Sequence, residues 1–316
     1  MRATVQGMRP AALAFALSFA LSALFLGCGG VDEAERASTA RPGGIVDGSQ
    51  EPPYVNGFDV DPADGSLLMA TNRGLYRIGA DGRRARRVGA TVEAAPSPVP
   101  VGREGLALSF TGPGRLLGSG HPDRAGALPE ALGLLLSEDG GRSWRPIARM
   151  GESDFHALHM VGSAVVALDV TTFTVLVSPD GGRSWEQRVP PEPLFDLAVD
   201  PRDADRLAAS SQRGLFTSDD GGRRWRPRED APFALLEWTP GGRLVRVDED
   251  GGVRESGDGG VAWTPLGRVR AEKPQALAAG DDGDLYVAGP DGTVERSRDG
   301  GRTWAVHFRP RRGTVP

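Results

Sequence analysis

The feature that most restricts this chain is an eight-residue string that returns at nearly constant intervals. It reads SEDGGRSW at 137–144, SPDGGRSW at 178–185, SDDGGRRW at 218–225, SGDGGVAW at 256–263 and SRDGGRTW at 297–304. From Asp139 to Asp180, Asp220, Asp258 and Asp299 the steps are 41, 40, 38 and 41 residues. A period near forty is one supersecondary unit copied along the chain, and such units bury their faces only by stacking on neighbours. Within the string, glycine takes the positive φ of a tight turn. The serine and aspartate lock that turn through short side chains that bond to nearby backbone. Trp144, Trp185, Trp225, Trp263 and Trp304 open the strand that follows and present a large face to the adjoining repeat.

Each period reads as four short strands separated by turn signals. In one unit these are residues 194–199, 206–210, 214–218 and 224–228; the other units open at 55–60, 105–110, 155–160, 233–238 and 275–279. The first unit keeps Asp81 and Gly82 at its turn but carries Arg86 where tryptophan is expected. Six such units over residues 52–310 predict an all-β, six-bladed β-propeller of four-stranded antiparallel blades, a closed answer to exposed sheet edges. Residues 311–316 read as a tail. The chain's 45 glycines and 25 prolines suit a turn-dense fold.

The spelling Ser-x-Asp-x-Gly-x-x-Trp resembles the Asp-box, or BNR repeat, of sialidases and sortilin-like propellers. Gly57-Phe58-Asp59-Val60-Asp61-Pro62, the run 116–122 (LLGSGHP) and Asp154-Phe155-His156-Ala157-Leu158 are similar to bacterial Asp-box lipoproteins labelled glycosyl hydrolases or exo-sialidase-like. The resemblance implies a propeller and assigns the five boxes to turns away from the ligand face. That family often opens its first blade with His-x-His-Gly, where this chain has Tyr54-Val55-Asn56-Gly57. The resemblance does not extend to a true sialidase. Only Tyr54, Tyr76 and Tyr286 are present to serve as its tyrosine nucleophile, and the Arg-Ile-Pro signature has no match beyond Tyr76-Arg77-Ile78.

The N-terminus is a separate matter. Arg2 and Arg9 precede an uncharged apolar run from 11 to 27, followed by Cys28, the single cysteine. This is the layout of a secretory signal over residues 1–27. Leu-Phe-Leu-Gly before Cys28 resembles a bacterial lipobox, with Phe25 in place of the usual leucine, and implies lipidation of Cys28. Residues 28–51 are charged, glycine-rich and almost devoid of large apolar side chains, the composition of a flexible tether. The expected location is extracytoplasmic, anchored by lipid to a bacterial membrane. A lone cysteine leaves no intrachain disulfide and no cysteine-based metal site.

The formal net charge of −5 comes without a basic stripe, which argues against nucleic acid as a partner. Chemistry in such a ring belongs to the loops opposite the box turns. There the long connections 94–104 and 119–132 stand out. His121 and Asp123 lie on the second, and Asp154 and His156 open the next unit. The phase of the repeat brings these four to one channel mouth, with Asn56 and Tyr54 on the blade before. Two histidines and two carboxylates suit a polar ligand, a divalent metal, or acid and base work by Asp123 and Asp154. No convincing carboxylate pair stands out, which favours a monomeric, lipid-anchored binding or scaffold module for an envelope protein or glycan. The alternative is a glycoside hydrolase using that carboxylate pair. No cofactor is required by either reading.

Overall fold

The computed structural model describes residues 54–94, 97–123 and 126–310, omitting the side chains of Arg103 and Glu104. The signal, Cys28, the tether and the tail at 311–316 lie outside these residues. Among the described residues every regular element is a strand. The first sheet runs β1 (Val55–Val60), β2 (Leu67–Thr71), β3 (Gly74–Ile78) and β4 (Ala85–Val88), in that order and antiparallel throughout. Next come β5 (Ala90–Val92), β6 (Val99–Gly112), β7 (Arg115–Pro122), β8 (Leu134–Ser137) and β9 (Ser143–Ala148). Four further sheets follow the order of the first. They are β10–β13 (Phe155–Val161, Ala164–Asp169, Thr174–Ser178, Glu186–Arg188) and β14–β17 (Leu194–Asp200, Asp203–Ser211, Leu215–Ser218, Arg226–Pro227). Then come β18–β21 (Leu235–Trp238, Leu244–Val247, Gly252–Ser256, Thr264–Arg268) and β22–β25 (Ala276–Ala279, Leu285–Ala288, Val294–Ser297, Ala305–Phe308).

This is a ring of four-stranded antiparallel blades, but the expected count of six is corrected to five. The residues expected to form the second blade build a five-stranded unit that closes on itself. β5 pairs antiparallel with the start of β6 and parallel with Ser143 and Trp144 of β9. The cause is local. Val99–Val101, expected in a loop, extends β6 backwards, and a register break between Val101 and Leu106 bends the strand. The bent end offers an unpaired edge to β5, which the free edge of β9 completes.

The turn chemistry is the same in each box. Ser137 Oγ donates to Asp139 Oδ1 at 2.9 Å and accepts Gly141 N at 2.9 Å. Asp139 Oδ1 also accepts the N–H of Arg142 and Ser143, at 3.0 and 2.9 Å. Equivalent bonds surround Asp180, Asp220, Asp258 and Asp299. With so many donors on one carboxylate, the ionised form is favoured. Side-chain and backbone bonds from Ser184 hold Asp180 at about 2, and those from Thr303 hold Asp299 at about 2.

The core is a set of seams between neighbouring sheets, and the box tryptophans pack against five of them. Trp144 sits among Leu68, Leu75, Leu106 and Leu135, while Trp185 stacks on Phe155 at 5.6 Å. Trp225, Trp263 and Trp304 lie half-buried on the next three seams. Only Trp144 is 0 % exposed, and Gly118 is the reason. A β-carbon there would fall 2.6 Å from the indole. The last seam, between β22–β25 and β1–β4, has no tryptophan. Val55, Phe58, Met69, Ile78, Tyr286 and Phe308 fill it.

Candidate functional site

The innermost strands β1, β6, β10, β14, β18 and β22 surround a cavity of about 540 Å3. An innermost strand has one edge without a partner in its own sheet, and its N–H and C=O groups need bonds from elsewhere. Side chains from the preceding sheet supply them. Asp59 on β1 accepts Phe110 N of β6 at 2.6 Å, and Asp196 on β14 accepts Leu236 N of β18 at 2.8 Å. Glu237 on β18 accepts the N–H of Ala279 on β22. His159 on β10 reaches the carbonyl of Leu197 on β14 at 2.6 Å, and Gln275 accepts Val55 N at 2.9 Å across the last seam. All five brackets run from one sheet to the next in the same direction around the ring.

The bracket carboxyls carry an electrostatic cost. Burial pushes Asp59 up to about 7, against the pull of its Phe110 and Val60 bonds. Burial likewise pushes Asp196 up to about 6. Glu237 stands well above the ordinary glutamate range, first through burial and then through the charges of Asp59 and Asp196. His159 is held below its usual value by burial, so the ring is neutral and its Nε2–H donates to Leu197. Sequence reading passed over these acids, although a signal existed. Phe58-Asp59-Val60, Phe195-Asp196-Leu197 and Leu236-Glu237-Trp238 each place a carboxylate inside an apolar inner strand, as Leu158-His159-Met160 places an imidazole.

The mouth of the cavity holds most of the residues expected there. His121 at the end of β7 and His156 at the start of β10 both place Nε2 at 3.2 Å from one oxygen, Oδ2 of Asp154. Asp154 precedes β10, and its backbone N–H is tied to Asp169 and Thr171. Its side chain is only 9 % exposed, and its other oxygen, Oδ1, has no hydrogen-bond partner. Burial acts to raise this carboxyl, but the bonds from His121 and His156 outweigh it and hold the group well below the usual aspartate range. It is a fixed anion at neutral pH, suited to orienting imidazoles and unsuited to giving up a proton.

Asn56 lines the same cavity and is exposed, whereas Asp123 does not line it and hangs from Pro100 O through its backbone N–H at 3.3 Å. The expected carboxylate pair is therefore not brought together around the cavity. Among the described residues no group of three or more His, Cys, Asp or Glu is arranged to hold a metal ion.

Aromatic side chains frame the opening, Tyr54 as expected from the sequence and Phe195 and Phe233 without a signal there. Tyr54 (54 % exposed) and Phe195 (43 %) line the cavity, and Phe233 (37 %) meets Phe195 edge-on at 5.5 Å. Phe233 has φ +54, a left-handed backbone that bulky residues rarely adopt.

No protein-family model matches the chain, and no curated protein does. Among solved structures it is similar to a GH74 xyloglucanase from Xanthomonas campestris (21 % identity, TM-score 0.50, covering 81 % of this chain and 38 % of that one). It is also similar to YCF48 bound to D1 peptide (18 %, 0.48, 81 % and 82 %) and to YCF48 from Cyanidioschyzon merolae (15 %, 0.48, 82 % and 86 %). The chain has the β-propeller fold. The chain spans 38 % of the xyloglucanase's length, and likeness at this identity extends to the fold alone.

Proposed function

We propose that this propeller is a binding module of the Asp-box lipoprotein kind, held outside the cytoplasm by lipid on Cys28, which takes a partner at the cavity mouth. The supporting observation is the make-up of that mouth. Tyr54, Phe195 and Phe233 are exposed around an opening whose polar groups, His121, Asp154 and His156, are locked to one another. Exposed aromatics beside ordered polar groups are the elements of a recognition surface. A glycoside hydrolase needs two carboxyl groups set across the scissile bond, one able to donate a proton. Asp154 is held ionised, Asp123 does not line the cavity, and the raised carboxyls Asp59, Asp196 and Glu237 are engaged by backbone N–H groups of the next sheet.

The test is a pair of assays on one preparation. Immobilised wild-type chain and a Phe195→Ser variant are compared for capture of envelope proteins and glycans, and both are screened against glycan substrates. The module reading expects a partner that the variant loses and no turnover. Hydrolysis that Asp154→Asn abolishes would replace it with the enzyme reading. The anchoring part is tested by Cys28→Ser, which should move the protein from the membrane fraction to the soluble one. Unchanged retention in the membrane would overturn it.

A further inference from the structure

Apart from Tyr54 and three histidines, the ionisable side chains lining the cavity are all acids. Asp59, Asp154, Asp196, Glu237 and Asp281 line it, and among the described lining residues there is no lysine or arginine. Three of these acids, Asp59, Asp196 and Glu237, sit deep on the inner strands and act on one another. Their oxygens accept backbone N–H bonds, which fix their positions but bring no full positive charge. Asp154 adds an anion at the mouth, with one carboxylate oxygen lacking any partner. The histidines supply no fixed cation: His159 is neutral, and His121 and His156 are spent on Asp154. Low-dielectric walls of one sign concentrate the opposite charge. Above this acidic floor lies a rim of Tyr54, Phe195 and Phe233, faces on which an apolar side chain or a cation can rest.

We infer that the partner is a peptide segment that inserts an arginine or lysine side chain into the acidic cavity while its apolar neighbours rest on the Tyr54–Phe195–Phe233 rim. This rests on the binding-module reading and names the chemical class that the mouth takes. Charge complementarity selects the inserted group, and the exposed aromatics select a peptide over a free cation, because only a chain occupies both. Insertion supplies the counter-charge that the crowded carboxyls lack, so binding expels protons from Asp59, Asp196 and Glu237. Affinity should then rise with pH as Asp196 ionises at about 6 and Asp59 at about 7. The imidazoles of His121 and His156 face the same opening, both hydrogen-bonded to Asp154.

The experiment is selection from a positional peptide library by the full chain, followed by titration of the best peptide. The expected result is enrichment of arginine or lysine at one position with apolar or aromatic flanks. Citrulline, the uncharged counterpart of arginine, should weaken binding at least about tenfold. Glu237→Gln keeps an acceptor for Ala279 N and should also weaken binding about tenfold, with an unchanged or higher melting temperature. Phe195→Ser should weaken peptide binding and leave the response to putrescine unaltered. Equal binding of the citrulline peptide overturns the inference while keeping the mouth as a binding site. Putrescine binding as tightly as the peptide overturns it in favour of a small free cation. If no peptide is enriched while Phe195→Ser still abolishes capture of a glycan, the module reading stands and the peptide inference falls. If Phe195→Ser changes no binding of any kind, both fall.

Discussion

At the residue scale, the side chains that close the sheet edges set the pH behaviour of the whole ring. Asp59 and Asp196 have raised values in the folded chain, so their contribution to stability is complete below the unfolded value of about 3.8. It is lost as the pH rises through about 6 and about 7. Asp180 and Asp299 are depressed to about 2, so theirs is present above the unfolded value and lost as the pH falls through about 2. The melting temperature should therefore be highest at about pH 4 to 5 and decline on both sides. Asp59→Asn should flatten the decline above pH 5 but lower the peak. Both oxygens of Asp59 accept N–H bonds, from Val60 and Phe110, and an amide offers only one acceptor. The lost bond is worth about 1 kcal/mol. A thermal scan against pH decides this, and an unchanged slope in the variant would refute the assignment. The histidine pair behaves differently. His121→Ala with His156→Ala removes both bonds to Oδ2 of a nearly buried carboxylate, so the double variant should lose about 1–3 kcal/mol. Unaltered denaturant midpoints would show that solvent replaces those bonds without cost.

At the element scale, the box turn and its tryptophan were legible in the sequence because their chemistry is local. Ser-x-Asp-x-Gly specifies every bond of the turn within seven residues, and the structure repeats those bonds five times. The mouth was partly legible, because strand phase alone places His121, Asp154 and His156 on one side. The five-stranded closure of β5–β9 was not, since it depends on a register break that the proline-rich run 94–104 does not announce. Nor were the bracket acids, whose partners lie about forty residues away on another sheet. The tryptophans also differ in ways that spelling conceals. Trp185 Nε1 donates to Gly182 O at 3.0 Å, whereas Trp225 Nε1 is buried without a partner. Tryptophan to phenylalanine should therefore cost about 1 kcal/mol more at 185 than at 225. Alanine should cost about 2–4 kcal/mol at 225, because half of a large aromatic is lost from the seam. Paired urea titrations check both, and equal phenylalanine penalties would deny the indole bond a role.

At the scale of the whole molecule, the question is what keeps the ring shut. Among the described residues the first sheet uses only β1–β4 and the last only β22–β25, and none of these strands from one end completes the sheet at the other. Closure rests on side chains: the seam of Val55, Phe58, Met69, Ile78, Tyr286 and Phe308, and the bond from Val55 N to Gln275. That seam lacks the tryptophan its five counterparts hold, and neighbouring seams are joined by a covalent connection that this one lacks. It is the place where a ring of stacked units opens first, since sub-global opening follows the fewest interlocking contacts. Phe308→Ala should cost about 3–4 kcal/mol as a large core truncation. Much of that loss should appear as local opening. Native-state hydrogen exchange is expected to speed up in β1–β3 and β22–β24 while β10–β17 keep their protection. Uniform acceleration across all the sheets would mean that the ring unfolds as one unit and that the last seam is no weaker than the rest.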